Sequence, residues 1–267
     1  MTTTPATAIQ IGNQPPRPRH RTLADETAVA LTFNGTTQAV LMATPADLTD
    51  FAIGFSLSEG IITDPSQIID LTQVPQENGI EMRLWLAADQ TKTLTARRRA
   101  MIGPVGCGLC GIDSLTQATR TLPSIRARPD LSVAQITSAT NALRACQPLH
   151  DATRAAHATG FLTPDGLICP REDVGRHNAL DKVIGALATR GVDAATGAFV
   201  LTSRVSIELI QKCAFAGCGM LIAVSAPTAR ATATALQAGI TLVAHSKGDT
   251  AEVFSHPSRI PGASDVA

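Results

Sequence analysis

Tyrosine is missing from this chain of 267 residues, and tryptophan occurs once, at Trp85. With so few rings, a surface that stacks unpaired bases lacks its building blocks. A surplus of either charge is also missing. The 22 Lys and Arg match 22 Asp and Glu, so no overall field draws the chain to nucleic acid or an anionic membrane. Any phosphate site has to be local. No apolar run approaches the roughly 20 residues of a membrane helix, and the N-terminus lacks a signal peptide's basic-then-apolar order. These absences predict a cytoplasmic protein with no membrane and no nucleic-acid partner.

At 44% hydrophobic and 16% charged residues, the chain can bury a real core, as one large domain or two smaller ones. Its six cysteines could make three disulfides, but a chain of this length needs no staples, so reduced thiols are expected.

Residues 1–20 are rich in Thr, Pro, Asn and Arg and predict a flexible tail. Alternation in Ala28–Phe33 and Gln38–Met42 around Asn34-Gly35 predicts a hairpin. A helix opening at Thr44-Pro45-Ala46-Asp47 should bury Leu48, Phe51, Ala52 and Phe55 and end near Gly60. Strands are expected at 80–86 and 91–96, and helices at 112–120 and 132–145, with Pro123 and Pro129 marking a boundary. Beyond it, a strand or strand pair at 155–169 is followed by helices at 177–189, 206–216 and 228–238. These alternate with strands at 198–202, 220–225 and 240–244, an α/β pattern. The resulting division is a tail over 1–20, a small α+β domain over 21–122, and an α/β domain over 123–267.

Three stretches could carry chemistry. Cys107-Gly108-Leu109-Cys110 sets two thiols three positions apart among glycines, a pattern suited to redox work, metal binding or sulfur relay. Zinc would need two more ligands. The remaining close pair, Cys213 and Cys218, is poorly spaced for that, and no bound metal is expected. Arg97, Arg98 and Arg99 could favour the thiolate or simply mark a solvated strand edge. Arg171-Glu-Asp-Val-Gly-Arg-His-Asn-Ala-Leu-Asp-Lys182 gathers ionisable groups at a loop-to-helix entry. There Arg176 and neighbouring amides could hold a phosphate, or the charges could only cap the helix. Thr202-Ser203-Arg204-Val205-Ser206 also ends a strand and begins a helix, where α/β sheets place ligands.

Taken together, Cys107-Gly-Leu-Cys110-Gly, the Arg171–Lys182 string and Ser203-Arg-Val-Ser-Ile-Glu-Leu-Ile-Gln-Lys212 resemble the formate dehydrogenase accessory sulfurtransferase family, from about residue 25 to the C-terminus. That resemblance implies a cytidine deaminase-like C-terminal domain beside a smaller α+β N-terminal domain. It implies a protein that takes persulfide sulfur from a cysteine desulfurase on Cys107, with Cys110 assisting. The sulfur would pass to the molybdenum bis(molybdopterin guanine dinucleotide) cofactor, so that formate dehydrogenase becomes active. Cofactor contacts are implied at His245, Ser246, Lys247, Gly248, Asp249 and Thr250, with Arg176, His177, Ser203 and Arg204 as further candidates, in a homodimer. Deaminase chemistry is not implied, because His157-Ala158-Thr159 lacks the glutamate and the paired cysteines precede it. The rival reading is a non-enzymatic chaperone that binds the cofactor, its cysteines gripping a metal.

Overall fold

The computed structural model describes residues 2–87 and 121–263. The expected strand at 91–96, the helix at 112–120, Arg97, Arg98, Arg99 and the pair Cys107 and Cys110 lie outside the described residues.

Backbone pairing starts earlier than expected. Where a flexible tail was expected, β1 (Thr3–Gln10) and β2 (Arg17–Ala24) form an antiparallel hairpin, in register from Thr3↔Ala24 to Gln10↔Arg17. Its side chains are almost all exposed, so the low apolar content does deny it a core; its main-chain ladder is joined by packing of β2 against the helix at Pro148–Thr153. The expected hairpin follows as β3 (Thr27–Phe33) and β4 (Thr36–Ala43), turning through Asn34 and Gly35, both at positive φ. Helix α1 (Leu48–Ser58) starts at Leu48 rather than at Thr44-Pro45, because Thr44 is taken up by contacts described below. Two strands close this sheet, β5 (Ile68–Gln76) and β6 (Gly79–Leu86), in the order β4-β3-β6-β5. No expectation marked β5, whose Pro75 and polar residues suit an exposed edge. Val29, Leu31, Phe33, Met82 and Leu84 bury one face of this sheet against Leu48, Phe51 and Ala52 of α1.

In the second unit, α2 (Val133–Arg144) and the short α3 (Pro148–Thr153) precede a hairpin of β7 (His157–Thr163) and β8 (Gly166–Asp173). Helix and strand then alternate through α4 (Arg176–Thr189), β9 (Ala198–Leu201), α5 (Ile207–Phe215), β10 (Met220–Ala223), α6 (Ala229–Ala238) and β11 (Thr241–Lys247), and β12 (Thr250–Val253) closes the order. The sheet order is β12-β11-β10-β9-β7-β8, with β9, β10 and β11 parallel. Alternate residues of β9 point to opposite cores: Phe199 and Leu201 to the core shared with α4, α5 and α6, Ala198 and Val200 to the core under α2. The molecule is therefore α/β, a mixed sheet between helices beside a smaller sheet-and-helix unit. Among the described residues no helix is long and apolar enough to cross a membrane.

The two units meet where α1 crosses α4. A Cβ added at Gly54 would stand 1.7 Å from the carbonyl oxygen of Asp181, and one at Gly185 would stand 1.9 Å from that of Asp50. Each helix thus presents a glycine to the other's backbone, and Leu57 packs against the cores of both units. Gly54→Ala or Gly185→Ala should cost about 1–3 kcal/mol or more, since main chain has to move. Gly12→Ala, with open space around it, should leave the unfolding midpoint unchanged. A thermal melt that does not separate these variants would refute the close crossing.

Candidate functional site

The Arg171–Lys182 string begins as a clamp between the units. Asp173 ends β8 and Lys182 lies on α4; their side chains are fully buried and meet at 2.6 Å. Thr44 is held from both sides. Its N–H donates to Asp173 Oδ2 at 3.0 Å, its carbonyl accepts from Lys182 Nζ at 3.0 Å, and its hydroxyl accepts from the Val174 N–H at 3.1 Å. Asp173 Oδ1 accepts from the Gly175 N–H and from Asn178 Nδ2, which also donates to the Met42 carbonyl. Arg171 reaches Asp50 of α1 at 2.7 Å. Three of the motif's seven ionisable groups, Arg171, Asp173 and Lys182, are therefore spent on joining the end of β4 and the start of α1 to β8 and α4, not on a ligand.

A second buried cluster ties in α5. Lys212 Nζ donates to both oxygens of Asp181 at 3.0 and 2.9 Å, to Glu59 at 3.0 Å and to Ser58 Oγ at 2.9 Å; Ser58 in turn donates to Asp181 at 2.6 Å. Burial opposes the Lys212 charge, but the carboxylates of Asp181 and Glu59 outweigh it and raise the lysine's pKa. Burial also pushes the Asp181 carboxyl up to about 6, against the pull of Lys212 and Ser58.

What the clamp leaves over is a cationic group at the start of α4 and α5. Val200, Ile222 and Val243 stand in register across the three parallel strands, so Thr202-Ser203-Arg204 and His245-Ser246-Lys247 leave the same, carboxyl end of the sheet. His157 opens β7 at that end, beside Thr202, whose hydroxyl accepts from the Ala158 N–H at 2.9 Å. Arg176 is the first residue of α4, and Arg204 precedes α5. Burial lowers the Arg176 pKa, and the nearby Arg204 lowers it further. His157 is lowered by burial and then by Arg176, His150 and Arg204. Burial, Lys212 and Arg176 push His177 down to about 4, leaving it neutral, with Nε2 4.0 Å from Glu208. Arg176, His177, Ser203 and Arg204, expected to work together, are thus brought to one place.

The residues 245–250 lie two strands away, about 10 Å at ordinary strand spacing. His245, Ser246 and Lys247 are on β11, Gly248 and Asp249 make the turn, and Thr250 starts β12. Thr140 of α2 donates to the Ser246 carbonyl at 3.2 Å, and Asn141 donates to the Gly248 carbonyl at 3.2 Å. Ser246 is buried, while His245, Lys247, Gly248, Asp249 and Thr250 are exposed. Sequence reasoning reached Ser206 only as the end of the Thr202–Ser206 stretch and passed over Glu208. A hydroxyl at the N-cap followed by an acidic first turn was the signal available for them. Among the described residues no group of three or more His, Cys, Asp or Glu could hold a metal ion.

Comparison with known proteins places this geometry in a lineage. The model of the FdhD/NarQ family matches residues 24–261. The sulfur carrier protein FdhD of Agrobacterium fabrum is 46% identical over 256 residues, covering 95% of this chain and 94% of that protein. The protein of the same name from Brucella abortus is 48% identical over 242 residues, 90% of each chain. A crystal structure from Desulfotalea psychrophila, of a protein described as a formate dehydrogenase accessory protein, superposes with a TM-score of 0.76 over 97% of this chain and all of its own. At 24% identity it establishes the shared fold.

Two outcomes follow from the buried charges. Lys182→Met strands Asp173 without its cation and should cost about 3–5 kcal/mol in urea unfolding, with Asp173→Asn/Lys182→Met costing less than the sum of the single changes. Equal, additive losses would show that the pair is not coupled. Below pH 6.5 the unfolded chain protonates His177 while the folded chain refuses the proton down to about 4. This histidine therefore lowers stability as pH falls through that window. Relative to the native chain, His177→Gln should gain stability from pH 6.5 to 4, by up to about 1.4 kcal/mol per unit. A gap that stays constant with pH would show that His177 titrates normally.

Proposed function

The chain belongs to the FdhD/NarQ family, and from that premise we propose that it is a sulfurtransferase serving formate dehydrogenase. The observation that carries this reading is near full-length identity of 43–48% to proteins named as sulfur carriers, in a chain that itself holds Cys107-Gly-Leu-Cys110.

The chemistry needs these two thiols, a persulfide donor and a thiol reductant. The Cys107 thiolate attacks the outer sulfur of a cysteine desulfurase's persulfide. A new S–S bond forms on Cys107, the donor's S–S bond breaks, and the donor cysteine leaves as thiolate. Delivery as sulfide requires two electrons. Attack of the Cys110 thiolate on Cys107 Sγ supplies them, closing a Cys107–Cys110 disulfide and expelling the terminal sulfur toward molybdenum. A thiol reductant then resets the pair. The substrate is the molybdenum bis(molybdopterin guanine dinucleotide) cofactor, held as cargo by His245, Ser246, Lys247, Gly248, Asp249 and Thr250 together with Arg176, His177, Ser203 and Arg204. Support for this placement is that both groups leave the carboxyl end of one sheet.

On the same reading residues 21–122 carry the sulfur and 123–267 hold the cargo. The second part is built like a cytidine deaminase but used without deaminase chemistry. The strand order β8-β7-β9-β10-β11 with intervening helices supports that comparison. The working form is a cytoplasmic homodimer, with a cysteine desulfurase and formate dehydrogenase as its partners.

Incubating the protein with a desulfurase and cysteine should add the mass of one sulfur, removable by reductant and absent in Cys107→Ala. That variant should fold normally and fail to mature formate dehydrogenase. Stoichiometric zinc and no sulfur adduct would instead identify a cofactor chaperone whose cysteines grip a metal.

A further inference from the structure

We propose that the arginine face of the N-terminal hairpin is a docking surface for an acidic, extended segment of another protein, one that sets carboxylates at every second position. This goes beyond the transfer chemistry above and does not depend on it.

Antiparallel pairing puts directly opposed residues on the same face of a hairpin, and side chains alternate between faces along each strand. One face of β1 and β2 therefore holds Arg17, Arg19, Arg21 and Leu23, with Gln10, Ala8, Ala6 and Thr4 opposite them. All three arginines and Leu23 are exposed. Arg19 and Arg21 stand opposite alanines, so no bulky cross-strand neighbour crowds them. Arg17 Nε donates to the neutral side chain of Gln10 at 3.2 Å and keeps its charge. Among the described residues no ion pair takes Arg19 or Arg21. Residues 2–24 contain no acidic residue, and Asp25 just beyond accepts from Thr4 Oγ1 at 2.6 Å. Helix α3, against which β2 packs, adds no free carboxylate, because its one acidic residue, Asp151, is shared by Arg144 and Arg154. A solvated face ordinarily mixes both signs, so an unmixed row of arginines calls for an anionic partner.

Spacing selects the occupant. Alternate residues of a strand repeat about every 7 Å, and an extended peptide laid along the hairpin has the same period. Carboxylates at alternate positions then meet the three guanidiniums, each able to bind its carboxylate through two N–H groups. Leu23 continues the row and offers an apolar residue of the segment a contact at that end. Pro5 and Pro18 each deprive a strand of an N–H, which suits recognition by side chains on the face better than addition of a third strand. A second copy of this chain does not fit, because no two of its acidic residues lie two positions apart. Nucleic acid fits less well than a peptide, since residues 2–24 hold no Phe, Trp or Tyr on which bases could stack.

Fluorescence anisotropy of the full chain with a labelled peptide, three Glu-Thr repeats ending in Leu, reads the surface directly. The peptide should bind, and its counterpart with Gln in place of Glu should bind at least about tenfold more weakly. Raising salt from about 50 to 300 mM should weaken the binding several-fold. Arg19→Gln/Arg21→Gln should also lose at least about tenfold. His20→Gln on the opposite face of the hairpin, and Arg190→Gln at the far end of α4, should change the binding little. All four side chains are exposed, so melting curves should show every variant folded. No binding at millimolar peptide, or binding indifferent to Arg19→Gln/Arg21→Gln, overturns the proposal. Capture of a single-stranded oligonucleotide more tightly than the peptide, through the same arginines, overturns it as well and makes the face a nucleic-acid contact. No part of the measurement involves Cys107, so the docking surface and sulfur carriage can fail independently.

Discussion

One buried ammonium holds the arrangement. Lys182 has no exposed side-chain surface, yet each of its three protons has an acceptor: Asp173 at 2.6 Å and the carbonyls of Thr44 and Glu172 at 3.0 and 3.4 Å. Burying such a pair gives little net stability, because desolvation consumes most of the Coulombic gain. What it does give is uniqueness. Any shift of β4 against α4 leaves a charge in apolar surroundings, so the end of β4, the end of β8 and the first turn of α4 are bound to one geometry. The close glycine crossing of α1 and α4 is possible only within that geometry, and the cluster around Lys212 then fixes α5 to the same pair of helices.

From this frame the direction of Arg176 and His177 follows. Both belong to the first turn of α4, whose preceding residues are pinned through Asp173, Gly175 and Asn178. Arg204 and Ser206 come from the loop after β9, which is bonded to β7 through Thr202 and Ala158. Two helix starts are thus positioned by a sheet and an ion pair, not by each other, and their like charges can face one another without the structure yielding.

Much of this was readable from residues alone, and the failures have physical causes. The α/β alternation from His157 onward was legible because each buried strand is short, apolar and bounded by turn residues, as in Ala198–Leu201 and Met220–Ala223. The edges were not. β5 carries Pro75 and mostly exposed residues, β12 has four residues, and the β1–β2 hairpin buries almost nothing, so hydrophobic period had nothing to register. The Arg171–Lys182 string was legible as important but not as to why. Sequence shows seven ionisable side chains near a glycine. Only the fold shows that Asp173 and Lys182 cancel inside the protein, Arg171 is taken by Asp50, and Arg176 and His177 remain for the site. No spacing rule could have forecast that Thr44, 129 residues before Asp173, is the third party.

That partition explains how a chain with no net charge comes to have a cationic end. Of its acidic residues, Asp50, Glu59, Asp173 and Asp181 are engaged with basic side chains in or beside the helix layer. Every such pair removes a negative charge from the surface as well as a positive one, and what stays outside depends on position alone. At the carboxyl end of the sheet Arg176 and Arg204 are among the charges that remain. On the exposed hairpin, Arg17, Arg19 and Arg21 project to one face, since β-strand side chains alternate, and β2 lies against α3 beside the same end. A neutral composition excludes long-range attraction to polyanions, yet a short-range site for one phosphate-bearing molecule is compatible with it. Screening within about 10 Å confines such a site's influence to molecules already at its mouth. Selection at such a site is then a matter of contact rather than of field.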